Sequence, residues 1–284
     1  MLDRDEYVEQ AYFFRVLGER LRDNVPMQEL FRLLQDEVLS TTKLPLAINY
    51  MLGELKHSGC FGPAMAKLDH YFTDFQTYVI RAAEQESGRF DMRVAISILH
   101  HLAEFLAGSP TPQAVFLYQF EVLCRNRLGY EAGLDTMAAE PLYSEHWRKW
   151  IREVRRQIGI IGLAELIYVR SEYYQQQRQR NDPQALEPET PILFDEKEGK
   201  ISLANRRKDP LLLFAALQRQ LGYPKVPRQQ KRDTSPETIP LLIRRIDRLE
   251  QRIKLLEEEQ QGGIDITRFY GPRVAPTDDD EMDV

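Results

Sequence analysis

Apolar side chains recur three and four residues apart along most of the first hundred positions, with polar residues in the gaps, which is the period of helices that bury one face. Tyr7, Ala11, Phe14, Leu17 and Leu21 form the first stripe, and Asp3 followed by Glu6 is placed to close a capping box at its start. Pro26 opens a second helix carrying Leu30, Leu33, Leu34 and Val38. Pro45 opens a third, with Ile48, Leu52 and Leu55 inward and a stop at Ser58-Gly59. A helix from about Thr73 to Glu86 carries Phe75, Val79 and Ala82. Asp91 caps the next, which runs to Leu106 before Gly108. Short loops between such helices make antiparallel neighbours, so residues 1–108 read as a helical bundle.

A second helical group occupies 109–181. Its opening, Phe120-Glu-Val-Leu-Cys-Arg-Asn-Arg-Leu-Gly, repeats the rhythm of Phe14-Arg-Val-Leu-Gly-Glu-Arg-Leu-Arg-Asp. Two readings stand: a degenerate second copy of the first group, or an unrelated extension that supplies more core. Residues 182–235 read as an irregular basic linker broken by Pro183, Pro188 and Pro191. Within it Ile192 to Leu203 suits a hairpin turning at Glu198-Gly199, and Leu211 to Leu221 a short helix stopped by Gly222. Pro224 to Pro236 reads as linker, and the acidic residues 262–284 as a disordered tail.

Between them, at 236–261, lies the sharpest periodicity of the chain. Ile239, Leu242, Ile246, Leu249, Ile253 and Leu256 alternate three and four apart, with isoleucine at every first seam position and leucine at every second. That choice favours two parallel strands. Arg245 can reach Glu250 of a partner helix, and Arg252 can reach Glu257, the pairing expected of a parallel dimer. The seam spans only ~33 Å, marginal on its own, so it reinforces other contacts or takes a partner helix. A single helix folded back on its own bundle is the alternative.

Composition changes the picture little. The 284 residues suffice for about two domains, and 29% charged residues indicate a folded, water-facing chain. A net charge of −6 argues against a general nucleic-acid binder. Cys60 and Cys124 sit in apolar helical contexts without a pairing pattern, which fits a reduced cytosolic setting, and no charged-then-apolar signal precedes Asp3.

One stretch carries more. Tyr71-Phe-Thr-Asp-Phe-Gln-Thr-Tyr-Val-Ile-Arg-Ala-Ala-Glu-Gln-Glu-Ser-Gly-Arg-Phe-Asp91, taken with Phe13 to Leu30, resembles the cytoplasmic helical domain of the type II secretion F protein and of the type IV pilus inner-membrane platform protein. The matching residues are Phe14, Leu17, Leu21, Asn24, Pro26, Leu30, Phe72, Arg81, Ala82, Glu84, Ser87, Gly88 and Asp91, within residues 10–107. Asn24 stands where the family has a turn glycine, Thr73-Asp74 where it has Pro-Pro, and Ala83 to Glu86 holds one residue more than the family signature. The resemblance implies a scaffold that docks on other machine components, such as a hexameric ATPase, from the cytoplasmic side. Members of the secretion type place a membrane-spanning helix soon after this domain. Here Ala114 to Leu123 carries Gln119 and Glu121, and Ile158 to Val169 is too short and contains Glu165, so no span is expected.

Catalytic, metal and cofactor chemistry finds little support. There is no phosphate loop, no Gly-x-Ser-x-Gly elbow and no Cys–His nucleophile pattern. His57, His70 and His146 lack a partner at ligand spacing, and His100 and His101 point to different helix faces. Glu84, Glu86 and Asp91 could hold calcium, though helix capping explains them more simply. Lys197, Lys200, Arg206, Arg207, Lys208, Arg219, Lys225, Arg228, Lys231 and Arg232 suit contact with anionic lipid headgroups at the inner membrane, contact with nucleic acid, or a solvated linker balanced by the acidic tail, the plainest of the three. The expectation is therefore an all-α, cytoplasmic, non-enzymatic scaffold without cofactor, homodimeric through its C-terminal coil and bound to protein partners rather than nucleic acid.

Overall fold

In a computed structural model, residues 2–23, 25–85, 90–181 and 190–228 are described. Their regular structure is thirteen α-helices and one 3-10 turn, with two isolated β-bridges, so the all-α expectation holds. The helices are α1 (Arg4–Arg20), α2 (Met27–Glu37), α3 (Leu44–Ser58), α4 (Gly62–Lys67), α5 (Asp74–Glu84), α6 (Met92–Ala107) and α7 (Pro112–Asn126). They continue as α8 (Tyr130–Ala139), α9 (Glu145–Gln157), α10 (Leu163–Val169), α11 (Glu172–Asn181), α12 (Glu196–Ala204) and α13 (Pro210–Leu221). All belong to one compact unit, Met1–Gln229.

Local signals place the first six helices. Thr73 opens α5 with a complete capping box, its hydroxyl accepting from the Gln76 N–H while the Gln76 amide accepts from the Thr73 N–H. Asp91 caps α6 through the Arg93 N–H at 2.8 Å. α1 lies along α6, α2 packs on α3, and α5 bridges α4, α6 and α8. Phe31 is gripped edge-on between Phe13 and Phe61, at centroid distances of 5.6 and 5.2 Å, an arrangement aromatic quadrupoles favour.

That grip corrects the stripe expected on α2: Leu30, Phe31 and Leu34 are buried and Leu33 is exposed, because the bulkier ring takes the inward position. The capping box expected of Asp3 and Glu6 is also not made. Glu6 instead accepts from the Lys43 N–H (2.9 Å) and the Tyr71 hydroxyl (3.0 Å), so a tertiary tie outcompetes the local one.

α7 runs through the core. Every residue from Ala114 to Leu123 is buried, which a helix needs when neighbours surround it, and α8 and α13 pack on it. Phe116, Trp147, Trp150 and Phe194 form an aromatic cluster with centroids 4.8 to 5.9 Å apart, fastening α7, α9 and the segment before α12 together.

The hairpin expected over Ile192 to Leu203 is α12 instead. Asp195 and Glu198 close a capping box there, and Gly199, the expected turn tip, lies mid-helix against α11. A β-carbon on Gly199 would sit 2.3 Å from the Ser171 hydroxyl oxygen, so glycine serves close helix packing here and not a turn. The linker expected from Pro224 begins as a packed strap: Tyr223 and Val226 are buried, and the Pro227 carbonyl accepts from the Asn126 side-chain amide at 3.2 Å. Asn24, Glu86, Ser87, Gly88, the residues read as the coil seam and those read as the acidic tail lie outside the described residues.

Candidate functional site

Four polar constellations, the first half-buried and the others buried, stitch the bundle together. In the first, the Glu84 carboxylate at the end of α5 accepts from the N–H groups of Phe61 (2.7 Å) and Gly62 (3.1 Å), where α4 begins. An anion at a helix start is favoured by the helix dipole and by its unpaired N–H groups. Burial raises the Glu84 pKa, while those two N–H groups and the nearby Arg81 pull it back. Glu84 is thus a clamp between helices, and no group of three His, Cys, Asp or Glu among the described residues is placed to hold a metal ion.

The second runs between α1 and the start of α5. The Gln76 amide donates to Gln10 Oε1 (3.0 Å), the Gln10 amide donates to the Tyr71 carbonyl (3.3 Å), and Glu9 accepts from the Leu39 N–H (2.9 Å). Here Tyr71 also reaches Glu6, and burial beside that carboxylate drives its pKa upward.

The third centres on Glu140 at the end of α8. It is 5% exposed and its Oε1 has no hydrogen-bond partner. Burial pushes its pKa up to about 7; the Thr73 hydroxyl, the Phe75 N–H and the Gln119 amide offset part of this, and Asp74 adds to it. Gln119, itself buried, accepts from the Tyr143 hydroxyl at 2.9 Å.

In the fourth, Glu121 pairs with Arg125 one turn on and accepts from the Tyr223 hydroxyl at 2.8 Å. Gln119 and Glu121, read from sequence as marks against a membrane span, are core groups with named partners. The signal for their role was available in the sequence, since two polar residues inside an unbroken apolar run need partners in any buried setting.

Two shallow clefts remain. One, of about 290 Å³, lies between α1 and α6 and is lined by Phe14, Arg15, Arg93, Ser97 and His100. A serine nucleophile would need a histidine nitrogen free to accept its proton. His100 Nδ1 lies 3.0 Å from the Ala11 carbonyl, which only accepts and so keeps the proton on Nδ1, and among the described residues no hydrogen bond joins the ring to Ser97. The other cleft, of about 350 Å³, lies outside Glu140, between Tyr7, Thr73 and Pro141.

The residues of the family signature separate into core and surface. Phe14, Leu17, Leu30 and Phe72 are buried in one continuous core, Pro26 precedes α2, Asp91 caps α6, and Arg81 is exposed. Ser87 and Gly88 fall outside the described residues, as do Ile239, Leu242, Arg245, Ile246, Leu249, Glu250, Arg252, Ile253, Leu256 and Glu257. The basic stretch is partly spent on structure: Lys200 pairs with Glu196, and Arg206 pairs with Glu165 while covering the Tyr168 ring at 4.0 Å. Lys197, Arg207, Lys208, Arg219, Lys225 and Arg228 are exposed, and Lys231 and Arg232 lie outside the described residues. Scanned against protein-family models, curated proteins and solved structures, the chain matches none of them.

Proposed function

We propose that the chain is a non-enzymatic helical scaffold, dimerised through the Ile239–Leu256 seam, that works on the cytoplasmic side in the manner of the secretion and pilus platform domains it resembles. The observation that supports this most is the use made of the buried and half-buried polar groups. Glu84, Gln76, Gln119 and Glu121 each bind another helix or an adjoining segment, so the interior chemistry is devoted to rigidity and the surface is left for recognition. Docking on a hexameric secretion or pilus ATPase is the partner the resemblance suggests. The test is co-purification of the tagged full chain with the secretion or pilus ATPase of its own organism. A stable stoichiometric complex supports the platform reading, and its absence at micromolar concentrations of both proteins rejects it.

A second reading is an oligomeric coiled-coil adaptor that reuses the domain in an unrelated pathway. It is favoured by α7, which stands where secretion-type relatives have their span yet is a 15-residue helix buried within the bundle. Among the described residues no helix is long and apolar enough to cross a membrane. Both readings require the coil. Replacing Leu249 with Asp would place a charge in the seam and turn a dimer into a monomer at unchanged thermal stability of the bundle, read by sedimentation equilibrium and thermal melts.

A further inference from the structure

Two turns of the bundle expose aliphatic side chains. α9 ends at Gln157, whose carbonyl accepts from the N–H groups of Ile160 (3.0 Å) and Ile161 (2.9 Å), and Gly159 sits at φ 94°, a left-handed conformation that suits glycine. This tight turn holds Ile160 outward at 86% exposure, the highest value among the large apolar side chains described. Beyond α12, Leu211 and Leu212 lie in the first turn of α13 at 45% and 54% exposure, while Leu213, Phe214 and Leu217 face the core. Asp209 fixes that start by accepting from the Leu211 N–H at 2.9 Å.

Arg206, in the turn after α12, pairs with Glu165 in the first turn of α10 at 2.6 Å, which brings the chain after Ile160 close to the chain before Leu211 at the start of α10. Cations flank the aliphatic tips along the chain. Arg155 and Arg156 close α9, and Arg207 and Lys208 precede α13. The acids nearby are engaged: Glu165 with Arg206, Asp135 with Arg155 at 3.2 Å, and Asp209 at its cap. Arg156, Arg207 and Lys208 form no ion pair with the described residues.

We infer that these two turns dock on an anionic lipid bilayer, with Ile160, Leu211 and Leu212 entering the headgroup region and Arg156, Arg207 and Lys208 meeting the lipid phosphates. Aliphatic tips flanked by cations that no described acid pairs with match that interface, which offers apolar volume beneath a negative surface. Single-stranded nucleic acid would instead call for exposed aromatic platforms on which bases stack. The inference does not rest on the platform reading or on the coil, and vesicle binding is measured separately from association with an ATPase.

The test is flotation of the full chain with phosphatidylcholine vesicles prepared with and without phosphatidylglycerol. Wild type should float with the anionic vesicles only. Ile160→Asp, and separately Arg207→Glu with Lys208→Glu, should each lower the partition coefficient by about tenfold or more. Lys225→Glu with Arg228→Glu, which changes the same charge on the strap away from the two turns, should lower it by less than about threefold. All these sites are exposed, and unchanged melting temperatures show that each variant folds. Absence of flotation with anionic vesicles, full binding by Ile160→Asp, or equal losses in the two double variants would each overturn the inference.

Discussion

Glu140 makes the pH dependence of stability a direct measure of its burial. The unfolded chain releases this proton near the ordinary glutamate value of 4.5, whereas the folded chain holds it up to about 7. Between these values the native state binds more protons than the unfolded one, so stability falls as pH rises. Below the lower value both states are protonated and the penalty is absent; above the upper value it is complete. At ~1.4 kcal/mol per pH unit over that window the full penalty is about 3 kcal/mol, an upper figure because the fold can relax around the charge. The groups facing Glu140 keep the sign unchanged. Asp74 from the start of α5 repels the carboxylate, and burial outweighs the polar groups of Thr73, Phe75 and Gln119. Burial raises the pKa of Tyr7 on α1 and of Tyr143 before α9, and the Glu140 carboxylate adds to it in both. Glu140→Gln keeps the volume and removes the titration. Chemical denaturation at half-unit steps from pH 4.5 to 8 should show the variant within about 1 kcal/mol of wild type at the acid end and 2 to 3 kcal/mol more stable at pH 8. Glu84 and Glu198 also have raised values, but they titrate in both proteins and cancel in the difference. Parallel stability profiles for the two proteins, or a variant less stable at pH 8, would refute the account.

Further outcomes follow from the packing. Phe72→Ala removes a ring that is fully buried against Tyr71 at 5.0 Å and should cost about 3 to 5 kcal/mol, seen as a lower urea midpoint at unchanged slope. Tyr223→Phe deletes the hydroxyl that donates to Glu121 and leaves a buried carboxylate oxygen short of a partner, for a loss of about 1 to 3 kcal/mol; a change under ~0.5 kcal/mol would mean the strap contributes little.

Much of the helical layout was legible in the sequence, because the signals that start and stop helices act over three or four residues. Asp91, Pro45 and Gly222 perform the roles their local spacing suggests, α5 opens at Thr73 as expected, and Phe14, Leu17 and Leu30 are buried as their period requires. What failed were choices among local options that distant residues decide. Asp3 and Glu6 have the spacing of a capping box, but Glu6 gains two bonds from Lys43 and Tyr71, which no local pattern contains. Glu198-Gly199 reads as a turn tip until α11 lies across it, where only a residue without a β-carbon leaves room for Ser171. Leu33 and Phe31 are equally apolar on paper, and the inward place goes to the ring that Phe13 and Phe61 can grip. Polar residues in the core show the same division. The sequence displays Gln119, Glu121 and Glu140 as ordinary polar positions, and only the folded chain gives them Tyr143, Tyr223 and the start of α5 as neighbours. Helix periodicity is a property of consecutive residues and so belongs to the sequence, whereas the partner of a buried charge and the exposure of Ile160 depend on which helices meet, which tertiary packing alone determines.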